Sequence, residues 1–345
     1  MIHIILAILT ACSPLNSTEN SASHNQEAID PTPPIATQPY VEPDFSKWDV
    51  PLQNLGVTAK KYENREKARE LVHTIRDKIK KNPDVQEKQV IHYRTYEYNR
   101  SGRDLPGPEL CANDLCIDNQ CFILAGLPKN IESAAQYWNV ILQQEGCLVV
   151  SLHDSTESED LCNNFWKQQR LSQMQLVDGW TITEQNHEIL IKGKKSKKGT
   201  FPALIKTTLL ATNSEETRTL FHLHYVGWPN HTSIPDKTVF QALLKNMRLL
   251  SPKKILPIAI NCHGGIGRTG ATAATYILER QISKAVRENK ENEYRVNLAK
   301  IIYDFRKQRP NVLSNSNNIS KIFSVLERHY NGLKRNESRS FPVTP

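Results

Sequence analysis

No apolar run in these 345 residues approaches the roughly 20 needed to cross a bilayer, which excludes a spanning helix. The cysteines lack the paired CxxC spacing of zinc sites, so Cys111, Cys116 and Cys121 do not read as metal ligands, and no metal or other cofactor is expected. No nucleic-acid motif accompanies the formal net charge of +8. Most of that charge reads as solvated basic surface, and nucleic acid is not expected as a partner, although an anionic substrate fits the same balance. No glycine loop ends in Gly-Lys-Ser/Thr, which removes a nucleotide cradle, and no segment repeats. What is present is an ordinary globular composition, 39% hydrophobic and 23% charged, long enough for one large domain or two. Of the seven cysteines, an odd number, at least one stays free if the others pair; all but Cys12 and Cys262 read as structural thiols.

The chain opens with a mostly apolar stretch, Ile2 to Ala11, ending in Leu9-Thr10-Ala11-Cys12. That ending resembles a bacterial lipoprotein cleavage box, in which the cysteine is lipidated and becomes the new N-terminus. The Lys or Arg that normally starts an export signal is missing. Residues 1–12 are read as an export leader with Cys12 as the lipidation candidate, giving an exported or secreted protein or a membrane-anchored lipoprotein whose membrane contact is that lipid alone. A cytoplasmic protein with a truncated leader or a mis-called start is the alternative. Residues 13–45, rich in Ser, Thr, Asn, Gln and Pro, cannot bury enough apolar surface to offset their ordering entropy and read as a disordered tether. A folded domain is expected over 46–335, with a short tail at 336–345.

Within that domain, apolar residues recur at helical spacing over Lys60–Lys81, Ile131–Gln144, Lys237–Leu250, Thr269–Glu279, Leu298–Lys307 and Ile319–Tyr330. Strands are expected at Val90–Tyr93, Cys121–Ala125, Cys147–Leu152, Thr181–Lys192, Ala203–Thr212, Leu220–Tyr225 and Ile255–Asn261, and a loop at Ser101–Pro108. The alternation predicts an α/β (α+β) fold with a central, mixed, largely buried sheet flanked by helices.

The chemistry concentrates in Asn261-Cys262-His263-Gly264-Gly265-Ile266-Gly267-Arg268-Thr269-Gly270. A buried strand runs into Cys262 and a helix starts near Thr269. Strand, glycine-rich loop and helix N-terminus together make an anion cradle, with backbone N–H groups pointing inward and the helix dipole favouring negative charge. Gly264, Gly265 and Gly267 are expected to let the loop curl. Arg268 can hold a phosphoryl group through two parallel hydrogen bonds. Cys262 lies where these groups would favour its thiolate, and Thr269 can hydrogen-bond the sulfur. The loop residues His263, Gly264, Gly265, Ile266 and Gly267 are the expected phosphate-binding set.

These residues resemble the cysteine-dependent protein tyrosine phosphatases, as a bacterial effector-like or lipoprotein-like member. The resemblance extends to Arg218 through His231, which looks like the segment ending in that family's mobile Trp-Pro-Asp loop; to Phe122–Pro128 followed by Tyr137-Trp138; and to Arg306–Leu313, similar to the stretch before its glutamine loop. It covers about Phe122 to Tyr330 and makes 46–335 a catalytic domain. The resemblance implies hydrolysis of phosphate monoesters, phosphotyrosine in proteins above all, through a cysteinyl-phosphate, with no metal. Trp228 and Asn318 then join the substrate-binding set.

The chain also departs from the family pattern. Asn230 stands where the family has its general-acid Asp, and an amide cannot donate that proton. Asn261 replaces a His before the nucleophile. Ser314 and Asn318 stand in the glutamine loop, Asn318 where the water-positioning Gln belongs. The family's Lys-Asn-Arg-Tyr loop is not found; Asn64-Arg65 and Tyr98-Asn99-Arg100 are only fragments of it. Two other readings therefore stay open: a pseudophosphatase that captures phosphoproteins without efficient turnover, and a phosphoinositide phosphatase. Members of the latter kind often carry Lys in the loop, where this chain has His263 and Ile266.

Overall fold

The computed structural model describes residues 40–82, 99–100, 103–104, 112–128, 130–154, 173–176, 179–194, 202–251 and 256–340. In chain order the strands are β1 (Val50–Pro51), β2 (Asn99–Arg100), β3 (Arg103–Asp104), β4 (Ala112–Ile117), β5 (Gln120–Gly126), β6 (Leu148–His153), β7 (Gln173–Gln175), β8 (Thr181–Lys192), β9 (Ala203–Thr212), β10 (Thr217–Val226), β11 (Ile258–Cys262) and β12 (Arg295–Val296). The helices are α1 (Leu55–Lys61), α2 (Arg65–Lys80), α3 (Ile131–Gln143), α4 (Lys237–Leu250), α5 (Gly267–Arg287), α6 (Leu298–Gln308) and α7 (Asn317–Ser340).

Largely apolar, buried strands form the middle of an eight-stranded sheet of order β4-β5-β11-β6-β10-β9-β8-β7. β5, β11, β6 and β10 run parallel and the flanking pairs are antiparallel, the mixed sheet that the alternation of elements predicts. A strand buried on both faces needs apolar residues at every position. β11 supplies them alternately: Ile258, Ile260 and Cys262 face a core shared with α1, α2, α4, α5, α6 and α7, while Ala259 faces α3. The same alternation puts Leu223 and Tyr225 of β10 on the first face and Leu220 on the second. Cys262 thus sits at the C-terminal end of a central parallel strand, where open α/β sheets bind ligands.

Several boundaries differ from expectation. The helix expected over 60–81 is broken: Asn64 accepts hydrogen bonds from the N–H groups of Glu66 and Lys67, which caps α2 and separates it from α1. The apolar face Ala68, Leu71, Val72, Ile75 and Ile79 is buried as expected. Tyr40 to Phe45, assigned to the tether, pack on the domain: the Tyr40 hydroxyl lies 2.6 Å from that of Tyr303, and Phe45 is buried. α7 continues to Ser340, into the expected tail. β4 is additional. It joins β5 through Asp118 and Asn119, both at positive φ, as a two-residue hairpin needs. Across it Cys116 and Cys121 form a disulfide, so these two are not free thiols. Part of the loop expected at 101–108 is the short strand β3, paired with β2. The strand at Val90–Tyr93 and the leader with Cys12 lie outside the described residues.

Histidines are unusually concentrated in this interior. His153, His222 and His224 are buried on the α3 side of β6 and β10, with His222 Nε2 2.7 Å from Ser151 Oγ. Burial lowers His224 to about 4 and holds His222 well below its ordinary value. His329, on α7, is likewise lowered to about 4 by burial. A histidine whose folded value is depressed costs nothing above its unfolded value near 6.5. It destabilises the fold as pH falls below that, because the unfolded chain takes up a proton that the fold refuses. Buried Glu279, raised to about 7 by burial against the opposing pull of Arg248, acts the other way and weakens the fold as pH rises from 4.5 to 7. With three histidines against one glutamate, unfolding free energy should drop between pH 6.5 and 5. His224 should contribute about 2 kcal/mol of that drop. Urea titrations across this range test the expectation: His224→Gln should flatten the slope, and an unchanged slope would show that His224 does not titrate in this window.

Candidate active site

The loop from Cys262 to Gly267 returns tightly on β5. Gly265 has φ +62°, and a Cβ there would lie 2.3 Å from the carbonyl carbon and oxygen of Ala125, so no other residue fits. Gly264 and Gly267 behave differently from expectation: a Cβ at either meets nothing within 4 Å, so the curl depends on Gly265 alone. The loop is pinned by Leu127 N–H donating to His263 O (3.3 Å) and Gly265 N–H donating to Cys262 O (3.3 Å). The residue ahead of α5, Ile266, offers no side-chain cap, so the first N–H groups of α5 are left for an anion. Gly270 lets α5 approach the chain after α6, since a Cβ there would sit 2.5 Å from Val312.

Cys262 is buried beneath this loop. Burial alone would raise its thiol; the charge of Arg268, the hydroxyl of Thr269 and the N–H groups of Thr269 and Ile266 outweigh it, and the thiol titrates below its ordinary value. The Thr269 hydroxyl is itself buried and, among the described residues, has no partner apart from that sulfur. Cys147, also free, is moved the opposite way by burial. Arg268 is 3% exposed. Its Nη1 donates to Trp228 O (2.6 Å) and its Nη2 to Asn230 Oδ1 (3.2 Å), so the loop between β10 and α4 rests on the cation.

The structure brings Cys262, Arg268, Thr269 and Asn230 together. His263 and Gly264 are exposed, Ile266 and Gly267 half-buried at the rim. Trp228 differs from expectation: its ring is fully buried between Tyr225 and Phe240, and its carbonyl is the part that meets Arg268. Asn318 is fully buried, and its Oδ1 accepts from Ile234 N–H (3.1 Å). Ser314 is exposed. Asn261 points to the opposite face of the sheet, where its Nδ2 donates to the Tyr137 hydroxyl (3.3 Å). Of the fragments resembling a Lys-Asn-Arg-Tyr loop, Asn64 is a helix cap and Asn99-Arg100 form β2; Tyr98 lies outside the described residues.

Two residues of this site were not anticipated. Arg309 is fully buried and donates from Nε to Gly265 O (2.8 Å), from Nη2 to Gly264 O (3.4 Å) and from Nη1 to Asn113 Oδ1. It holds the outward carbonyls of the loop, which keeps the N–H groups facing the sulfur. A sequence shows an Arg near a Pro; only the register of β4 against β5 shows that Asn113 meets it.

The matched family model is protein-tyrosine phosphatase, over residues 112–327. Tyrosine-protein phosphatase 2 of Dictyostelium discoideum is 22% identical over 225 residues, covering 65% of this chain and 55% of that protein. The protein tyrosine phosphatase of Trypanosoma cruzi superposes with a TM-score of 0.53 at 19% identity, covering 68% of this chain and 76% of that one. PTPN18 in complex with HER2 phosphopeptides superposes with a TM-score of 0.50 at 17% identity, covering 61% of this chain and 66% of that one. The chain spans about half the length of that Dictyostelium relative.

The electrostatics predict a thiol that alkylates early. In a pH series with iodoacetamide read by peptide mass spectrometry, Cys262 should react with a midpoint below that of an ordinary thiol, and Cys147 above it. Arg268→Ala should move the Cys262 midpoint upward, as expected for losing an adjacent cation. A midpoint indifferent to Arg268 would contradict the arrangement. With a shielded thiolate-forming cysteine, a buried arginine and a family match running through the whole sheet, the chain belongs to the protein-tyrosine phosphatase family.

Proposed function

We propose that this protein hydrolyses phosphate monoesters, phosphotyrosine in proteins foremost, through a cysteinyl-phosphate on Cys262. The observation that carries the reading is the lowered Cys262 thiol beside buried Arg268, at a helix start whose N–H groups have no side-chain cap. The Cys262 sulfur attacks phosphorus, the S–P bond forms and the P–O bond to the leaving group breaks. Arg268 and the loop N–H groups receive the charge on the equatorial oxygens. Water then attacks phosphorus, and the thiolate leaves with inorganic phosphate as the product.

Protonation of the leaving oxygen is the weak step. Asn230 has no acidic proton, and its Oδ1 accepts from Arg268 and from His231 N–H. The one carboxylate in the loop, Asp236, caps α4, its Oδ1 accepting from the Thr238 and Val239 N–H groups. The leaving oxygen therefore takes its proton from solvent, and turnover of poor leaving groups is slow by about the 10²–10⁴-fold that a general acid supplies. Capture of a phosphoprotein with little turnover is the limiting form of the same site.

The exported reading is part of this proposal. The Cys116–Cys121 disulfide accords with passage through an oxidising compartment, and Cys262 with work in a reducing one. A secreted effector meets both conditions.

Cys262→Ser should abolish turnover of an aryl phosphate while orthovanadate still binds; retained turnover removes Cys262 from the mechanism. Asn230→Asp should raise kcat on phosphotyrosine at least tenfold and change kcat little on an aryl phosphate whose leaving group needs no proton. Equal effects on both substrates would show that position 230 does not govern leaving-group protonation.

A further inference from the structure

The loop Gly227–Asp236 has left-handed backbone at Gly227 and His231 and an internal brace, with Thr232 Oγ1 donating to Pro229 O (2.6 Å) and Trp228 Nε1 donating to Thr232 O (3.3 Å). It is also gripped from outside by the turn that opens α7. Asn315 Nδ2 donates to His231 O and to Thr232 O, both at 3.2 Å, and Asn318 Oδ1 accepts from Ile234 N–H. These two asparagines are themselves fixed. Asn315 Oδ1 accepts from Asn317 N–H (3.0 Å), an Asx turn that aims the amide, and Asn318 N–H donates to Asn315 O (3.1 Å). Arg268 holds the other side of the loop through Trp228 O and Asn230 Oδ1.

We infer that Asn315 and Asn318 are positioning residues that clamp this loop on Arg268 before any ligand arrives. The inference rests on the cradle reading of the previous subsection and adds what controls access to it. With the loop's one carboxylate, Asp236, committed to capping α4, docking delivers no proton; it closes the wall beside Arg268 and gates exit of an anion. A bound oxyanion leaves only when the bonds to His231 O, Thr232 O and Ile234 N–H open together. Asn315 is the separable half of the clamp, since it is half-buried whereas Asn318 is part of the core. Asn315→Asp keeps the acceptor that forms the Asx turn but loses the amide donors, so it removes the grip and retains the turn.

Hydrogen exchange by mass spectrometry on the full chain, paired with stopped-flow dissociation of orthovanadate, tests this. In the ligand-free parent the 228–235 segment should exchange slowly. In both Asn315→Ala and Asn315→Asp it should exchange roughly tenfold faster, as two hydrogen bonds of ordinary net strength require, with the sheet unchanged. Orthovanadate should leave both variants roughly tenfold faster than the parent. Fast exchange of 228–235 in the ligand-free parent, or parent-like exchange and release in both variants, overturns the clamp. Orthovanadate that fails to bind the parent at all sinks the cradle reading instead, and the ligand-free exchange arms still decide the clamp.

Discussion

A guanidinium taken almost wholly out of water organises this site. Burying a cation is costly unless polar groups surround it. Arg268, 3% exposed, is answered by Trp228 O, Asn230 Oδ1 and the nearby Cys262 sulfur. Each partner gains a property from the contact. The sulfur ionises below its ordinary range, and the loop between β10 and α4 acquires a docking point. Trp228 can offer its carbonyl because its ring is locked in the core against Tyr225 and Phe240. Function at the surface of this domain therefore depends on packing well beneath it.

The cradle around the sulfur is held from behind by a second arginine. Arg309 binds the carbonyls of Gly264 and Gly265, and Asn113 on β4 binds Arg309. Backbone N–H groups can converge on an anion only if the carbonyls between them diverge and find donors of their own. Gly265 lets the loop touch Ala125, Arg309 satisfies its outward face, and the start of α5 supplies the inward one. Asn230 in place of an acid leaves this arrangement intact, because its amide oxygen still accepts from Arg268.

The central sheet was legible because Leu148-Val149-Val150 and Ile258-Ala259-Ile260 are apolar at successive positions, a pattern that doubly buried strands require. Cys262, Arg268 and Thr269 were legible because their spacing spans a loop closed locally by backbone bonds. β4 was missed because Asn113 and Asp114 are half-buried and polar, and its pairing is decided by a turn at Asp118-Asn119. Arg309 acts across 196 residues of chain on Asn113 and across 44 on Gly265, Asn315 acts across 84 on His231, and nothing local marks them. The sequence points to Trp228 as a substrate contact because it does not tell a ring from its own carbonyl, and the carbonyl is what meets Arg268. The packing of Tyr40 to Phe45 on α6 was hidden in a segment whose composition is that of a tether.

The central claim is that phosphorus is transferred to the Cys262 sulfur. Rapid acid quench during turnover of an activated aryl phosphate, followed by peptide mass spectrometry, reads that bond directly. The account predicts a phosphorylated peptide spanning Cys262 that appears in the first turnover and is absent from Cys262→Ser. Turnover that proceeds with no phosphate ever found on Cys262 would contradict it.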